Sequence, residues 1–304
     1  MTNQAKGIIY TLITVLMWGV LAIALKVASK EIDSPTIVWF RFSLAFSTLF
    51  AWMAVKNPKE LKILYQPSWL IVLSSLALAW NYMGFMLGIQ FTSPSNAQVA
   101  IQAGPLLLAV FGIIFFREKI SWIQIAGFLI AIMGFWIFYR QHVGAVPAGQ
   151  EGQYTKGMLI TFSGAVAWAI YAAFQKRLVV HYPVGTLNVF IFGLPVLLYL
   201  PFVNFGSLVH LSAGYWALLV FLGANTLISY GCLSLALKYL EAGKVSIIII
   251  LNPIITFILM GTLTWLNVDW IAGEHFSVLS IVGALIALGG AILVVRKKKK
   301  REAV

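Results

Sequence analysis

A chain of 304 residues that is 61% hydrophobic and only 10% charged, against a usual charged share of about 25%, has too little polar surface to enclose a water-soluble core. Its formal net charge of +12 would suit nucleic acid, but six of the basic residues form one run, Arg296 to Arg301, directly behind an apolar segment. There they read as an anchor beside anionic headgroups.

Windows of about 20 apolar residues, the length that crosses the hydrocarbon core, predict ten spans, near 6–28, 35–55, 68–90, 95–116, 120–139, 157–178, 184–205, 213–237, 244–266 and 276–295. The connections are too short for a soluble domain. Lys6 ahead of the first apolar run, with Ala22-Ile-Ala24 inside it, has the outline of a signal peptide, but a copy of this span in mid-chain argues for a retained helix. With the amino terminus inside, Lys6, Lys56, Lys59, Lys62, Arg117, Lys119, Lys176, Arg177, Lys238, Lys244 and the terminal run all fall on the inner side. Only Lys26, Lys30, Arg140 and Lys156 fall outside, so the positive-inside rule predicts both termini in the cytoplasm. The lone Cys232 lies within a span and offers no intramolecular disulfide.

Displacing the chain on itself by 150 residues pairs Gly7 with Gly157, Thr11 with Thr161, Trp18 with Trp168 and Lys26 with Lys176; by 148, Pro35 with Pro183, Tyr82 with Tyr230 and Pro105 with Pro253; by 156, Glu118 with Glu274, Gly127 with Gly283 and Gly134 with Gly290. The change of offset locates an insertion around Asn267 to Gly273. The halves are predicted as residues 1–140 and 157–296, joined by a polar linker at 141–156 and followed by a polybasic cytoplasmic tail at 297–304. Five spans per half is an odd number, so the second half must be inverted. The predicted fold is therefore an all-α membrane protein of ten transmembrane helices, built as two inverted five-helix repeats around a central cavity, a design that supports alternating access to a midplane site.

Ionisable groups within a bilayer are costly and usually functional. All nine acids fall at span ends or in loops, which argues against proton exchange on a mid-membrane carboxylate. Arg41 is the charge placed deepest, about two turns into its span. It could bind a substrate anion, snorkel outward, or pair with Glu31 or Asp33. Lys26 and Lys176 sit near span ends, where snorkelling is expected. Glu118 and Glu274, at opposite faces, could gate by pairing with a cation or cap an interfacial helix.

Pro105 and Pro253 interrupt their spans, which a membrane helix tolerates only beside protein or water, so both are expected to face the cavity. Around them stand Asn96, Gln98, Gln102, Ser246 and Asn252, and neighbouring spans add Trp18, Asn81, Tyr82, Trp168, Tyr171, Gln175, Asn225, Ser229 and Tyr230. Such a wall, aromatic and neutral-polar, suits a small amphipathic solute; the competing role for each polar residue is to hold helices together. The favoured substrate contacts are Trp18, Asn81, Tyr82, Gln98, Gln102, Trp168, Tyr171, Gln175, Tyr230, Ser246 and Asn252. Gly84-x-x-x-Gly88 and the Gly127/Gly134 and Gly283/Gly290 pairs mark smooth faces for packing within one chain or in a homodimer. His142 and His181 stand alone among loop residues, and the sequence carries no metal or nucleophile motif of a membrane hydrolase; no enzyme activity, metal or cofactor is expected.

Met17-Trp18-Gly19, Arg41-Phe42, Gly88, Pro105 with Arg117-Glu118-Lys119, and Pro253 with Glu274 together resemble the EamA-type, ten-helix members of the drug/metabolite transporter superfamily, over nearly the whole chain and in two copies. The pattern departs at the second elbow, where Asn267 to Gly273 lengthens the connection. The resemblance implies a basket in which spans one to four and six to nine line the cavity and spans five and ten lie outside, in the inner membrane of a bacterium. It implies a secondary transporter of small metabolites. Phosphate carriers would need several cavity cations; the cations on offer here favour neutral or zwitterionic solutes, notably amino acids with neutral or aromatic side chains. A proton-coupled multidrug exporter and a non-transporting scaffold are the alternatives.

Overall fold

The computed structural model describes residues 2–116, 121–144, 146, 148–274 and 276–295. Helices follow one another as α1 (Asn3–Ala28), α2 (Ser34–Lys56), α3 (Trp69–Phe91), α4 (Pro94–Ala100), α5 (Ala103–Phe116), α6 (Trp122–Val143), α7 (Glu151–Leu178), α8 (Val184–Tyr199), α9 (Phe205–Val209), α10 (Ala213–Tyr239), α11 (Ala242–Ile249), α12 (Asn252–Trp265) and α13 (Val278–Val295). Among the described residues eight helical stretches are long and apolar enough to cross a membrane, counting α11 with α12. The broken pair α4–α5 and the shorter apolar α13 complete the ten predicted segments. Both α6 and α7 extend into the segment predicted as a linker.

Short polar residues start these helices as their chemistry requires. The carboxylate of Asp33 accepts from the Thr36 backbone N–H at 3.0 Å, and Ser121 and Gln124 exchange side-chain and backbone bonds in a capping box. The breaks at residues 101–102 and 250–251 occupy equivalent places in the two halves. Neither proline interrupts a helix. Pro105 is in the first turn of α5 and Pro253 in that of α12, where a missing N–H costs no intrahelical bond, so each proline begins the second half of a broken span.

The halves interleave. Helix α1 packs on α10 and α12, α7 packs on α3 and α5, α2 packs on α8, and α6 packs on α13. Exchanging the halves carries α1–α10 onto α7–α3 and α1–α12 onto α7–α5, while α2–α8 and α6–α13 map onto themselves, as an inverted repeat demands. Close packing uses the glycine faces. A Cβ on Gly127 would lie 2.8 Å from the Val294 backbone nitrogen, and one on Gly283 would lie 2.8 Å from that of Phe138. Gly84 similarly abuts the Gly164 backbone. The smooth stripes are thus occupied within the chain. The α6–α13 pair is peripheral, and its outer face presents Trp122, Leu129, Trp136 and Leu285 as a lipid-facing surface would.

Candidate functional site

The break between α4 and α5 brings Gln98, Gln102 and Pro105 to a cavity whose other walls are Trp18 of α1, Arg41 of α2, Asn81 and Tyr82 of α3, Trp168 of α7, Tyr230 of α10 and Asn252 of α12. About 520 Å³ of space lies among these side chains, of which about 50 Å³ admits the centre of a water molecule. The cavity is narrow and aromatic. The Trp18 indole meets Trp168 edge-on at 6.2 Å and Tyr230 at 5.2 Å, and Tyr230 lies 5.4 Å from Tyr82.

Arg41 is 2% exposed. Its Nε donates to Thr226 Oγ1 at 3.1 Å and its guanidinium carbon stands 4.2 Å above the Tyr82 ring. Among the described residues no carboxylate faces it, so it neither snorkels outward nor pairs with Glu31 or Asp33; Asp33 is engaged in capping α2. A buried cation without a counter-ion is costly, and the cavity is therefore complementary to an anion.

The remaining polar groups divide into committed and free. The Trp18 indole N–H donates to Ser229 Oγ at 3.0 Å, and the Asn81 amide donates to the Gly164 carbonyl at 3.0 Å while accepting from the Tyr230 hydroxyl at 3.3 Å. By contrast Gln98 Oε1, Gln102 Oε1, Asn252 Oδ1 and Trp168 Nε1 are buried with no partner among the described residues. Leaving one such group unpaired costs about 1–3 kcal/mol, so four of them around one cavity mark it as a place for solvent or a polar ligand.

Eight of the favoured substrate contacts, together with Arg41 and Pro105, line this cavity. Tyr171, Gln175, Ser246 and Pro253 do not. Tyr171 is behind the wall, 5.7 Å from Tyr230. Gln175 Nε2 donates to Asn188 Oδ1 at 3.1 Å and Ser234 Oγ at 2.7 Å, joining α7, α8 and α10. Ser246 and Pro253 are buried in α11 and α12 away from the space. Leu21, Phe85, Ile101 and Ile249 also line it. Each stands three residues from a polar or aromatic lining residue, namely Trp18, Tyr82, Gln98 and Asn252, so helical spacing was the available signal.

At one end of the bundle Lys26 Nζ donates to the Ile89 carbonyl at 2.9 Å; at the other, Lys176 Nζ donates to the Leu240 carbonyl at 2.6 Å and also to that of Leu237. Ile89 and Leu237 are equivalent under the 148-residue repeat, so the lysines are twin anchors on the last carbonyls of α3 and α10 and not snorkelling groups. Glu274 lies at the Lys26 end, where its Oε1 accepts from the Ser95 backbone N–H at 3.3 Å. Burial pushes its carboxyl above the usual carboxylate range, opposed by hydrogen bonds from Ser95 and Ser93 and by the charge of Lys26. Glu118 lies outside the described residues. Among those residues there is no cluster of three or more groups able to hold a metal.

The EamA-like transporter family matches this chain twice, over residues 5–140 and 155–296. An Escherichia coli (strain K12) protein, the uncharacterized inner membrane transporter YhbE, is 30% identical over 96% of this chain and 92% of its own length. An uncharacterized transporter of Haemophilus influenzae is 28% identical over 94% of each chain. A crystal structure with 16% identity superposes with a TM-score of 0.67 over 95% of this chain and 96% of its own, a likeness of fold. With its ten apolar segments and interleaved inverted halves, this chain is a multi-pass inner-membrane transporter and belongs to the EamA-like transporter family.

Proposed function

We propose that the protein is a secondary transporter, an exporter or facilitator, of small amphipathic metabolites that carry a carboxylate, foremost α-amino acids with neutral or aromatic side chains, working by alternating access with both termini in the cytoplasm. The observation that carries this reading is Arg41, buried in the cavity with no acid opposite it among the described residues. A substrate carboxylate supplies the missing charge. The free carbonyl oxygens of Gln98, Gln102 and Asn252 are acceptors for an ammonium group, and Trp18, Tyr82, Trp168 and Tyr230 offer a ring-lined space for the side chain. Lys26 and Lys176 are tied to backbone carbonyls, leaving one cation on the cavity wall among the described residues, too few for a sugar phosphate.

Liposomes containing the purified protein and preloaded with labelled phenylalanine, leucine, threonine or glutamine test this. Protein-dependent efflux of at least one, competed by the others, is expected. Absence of efflux for all of them would overturn the substrate class.

A further inference from the structure

The insertion at the second elbow builds a strap. Helix α12 ends at Trp265 and is capped by Leu266, with Asn267 in the left-handed region, φ 48°. The Asn267 N–H bonds the Thr264 carbonyl at 3.1 Å and the Val268 N–H bonds that of Leu263 at 3.4 Å, the paired closure of a Schellman ending. Beyond this turn Ile271 is buried against Ile23 of α1 and Met260 of α12, with Val268 and Phe276 around it. The Glu274 backbone N–H donates to Thr264 Oγ1 at 3.0 Å. These fixings hold the Glu274 side chain over the first turn of α4.

Helix α4 is the partition between two spaces. On one side is the central cavity with Gln98; on the other is a polar vestibule with about 1100 Å³ of space, of which about 490 Å³ admits the centre of a water molecule, lined by Asn96, His142, Tyr154 and Glu274 among others. The first turn of α4 and the strap meet beside the vestibule, where Ser95 N–H donates to Glu274. We propose that Glu274 is a proton-binding site that controls this end of the transporter: protonated, it holds the strap against Ser95 and seals the cavity; ionised, it releases the strap and opens the vestibule to the cavity. This rests on the alternating-access reading of the same cavity.

The direction follows from linkage. The closed arrangement half-buries the carboxyl against α4 and raises its proton affinity above that in water, whereas an opened strap returns it to solvent. Protons therefore favour the closed form, and that preference is lost as pH rises through the raised value. A neutral carboxylic acid still accepts from Ser95 N–H through its carbonyl oxygen, so closure keeps its hydrogen bond while shedding a half-buried charge. Three other titratable groups belong to this end: Lys26 from α1, whose charge opposes the upward shift, His142 from α6, whose Nδ1 is 3.0 Å from the Phe138 carbonyl, and Tyr154 from α7.

The test is access to the cavity. In a Cys232→Ser background, Gln98→Cys is exposed to a membrane-impermeant thiol reagent from the face that labels an exposed reference, Ala148→Cys, and the ratio of the two rates is followed from about pH 5 to about pH 8. The ratio should rise with pH, by up to about tenfold per unit. Glu274→Gln should hold it low and flat, and it also controls for the ionisation of the new thiol. Lys26→Met should move the midpoint to higher pH, a directional shift that a purely structural lysine would not produce. His142→Gln should leave the midpoint in place. A flat ratio in the parent protein, a rise that survives Glu274→Gln, or a rise abolished by His142→Gln would each overturn the proposal. Labelling needs no substrate: failure to transport amino acids would sink the substrate reading and leave this result standing, and flat labelling would do the reverse.

Discussion

The two halves of this protein share one skeleton and differ at many of their buried polar positions. In the second half Gln175, Asn188 and Ser234 bond one another across three helices; their counterparts in the first half are Leu25, Phe40 and Met86. In the first half Gln98, Gln102 and Arg41 line the cavity; their counterparts are Ser246, Ile250 and Val189. Even the twin tryptophans differ, since Trp18 has an acceptor in Ser229 and Trp168 has none. Symmetry is kept where the fold requires it, in the lysine anchors, the helix breaks and the glycine seams, and is given up around the cavity. A substrate has no two-fold axis, so the residues that contact it need none.

That contrast can be broken by substitution. The largest effect is expected from Arg41→Met, which removes the cavity's cation while keeping a long apolar stem. Loss of a charge-assisted hydrogen bond worth about 1.5–3 kcal/mol should weaken binding of a carboxylate substrate by roughly ten- to a hundredfold, read as a rise in half-saturation for efflux. An unchanged half-saturation would place recognition elsewhere. A smaller, crossed pair of effects separates the halves. Gln102→Leu should lower substrate affinity by about tenfold or less without lowering the melting temperature, because it removes a buried group that has no partner. Gln175→Leu should lower the melting temperature by a few degrees, roughly 2–4 °C per kcal/mol, and leave affinity unchanged, because it strands Asn188 and Ser234. Equal effects of both on affinity would dissolve the distinction between the halves.

Much of this was legible in the sequence, for physical reasons that also mark where legibility ends. Ten apolar runs and the ordered Trp, Pro, Tyr and Lys matches carry the span count and the inversion, because a membrane forces each span to be apolar along its own length. The pairing of α1 with α10 and α3 with α7 is not local and left no mark in either run. Gln98 and Gln102 could be read as lining residues from their place beside a helix break. Gln175 had the same chemistry, but its fate depended on Asn188 and Ser234, which reach it from other helices. For Arg41 the sequence leaves anion binding, snorkelling and acid pairing open, because Thr226, its partner, lies 185 residues away. Pro105 and Pro253 share a pattern and a place in the first turn, yet only Pro105 reaches the cavity. Glu274 looked displaced by an insertion that in fact builds the strap positioning it.

The proposed recognition of a carboxylate rests on Arg41, which faces no carboxylate among the described residues. It is tested most directly by the thermal stabilisation of the detergent-purified protein on titration with phenylalanine and with phenethylamine, which differs only in lacking the carboxylate. Saturable stabilisation by phenylalanine and little by phenethylamine is expected, the difference vanishing in Arg41→Met. Equal stabilisation by both ligands, or a difference that persists in Arg41→Met, would contradict it.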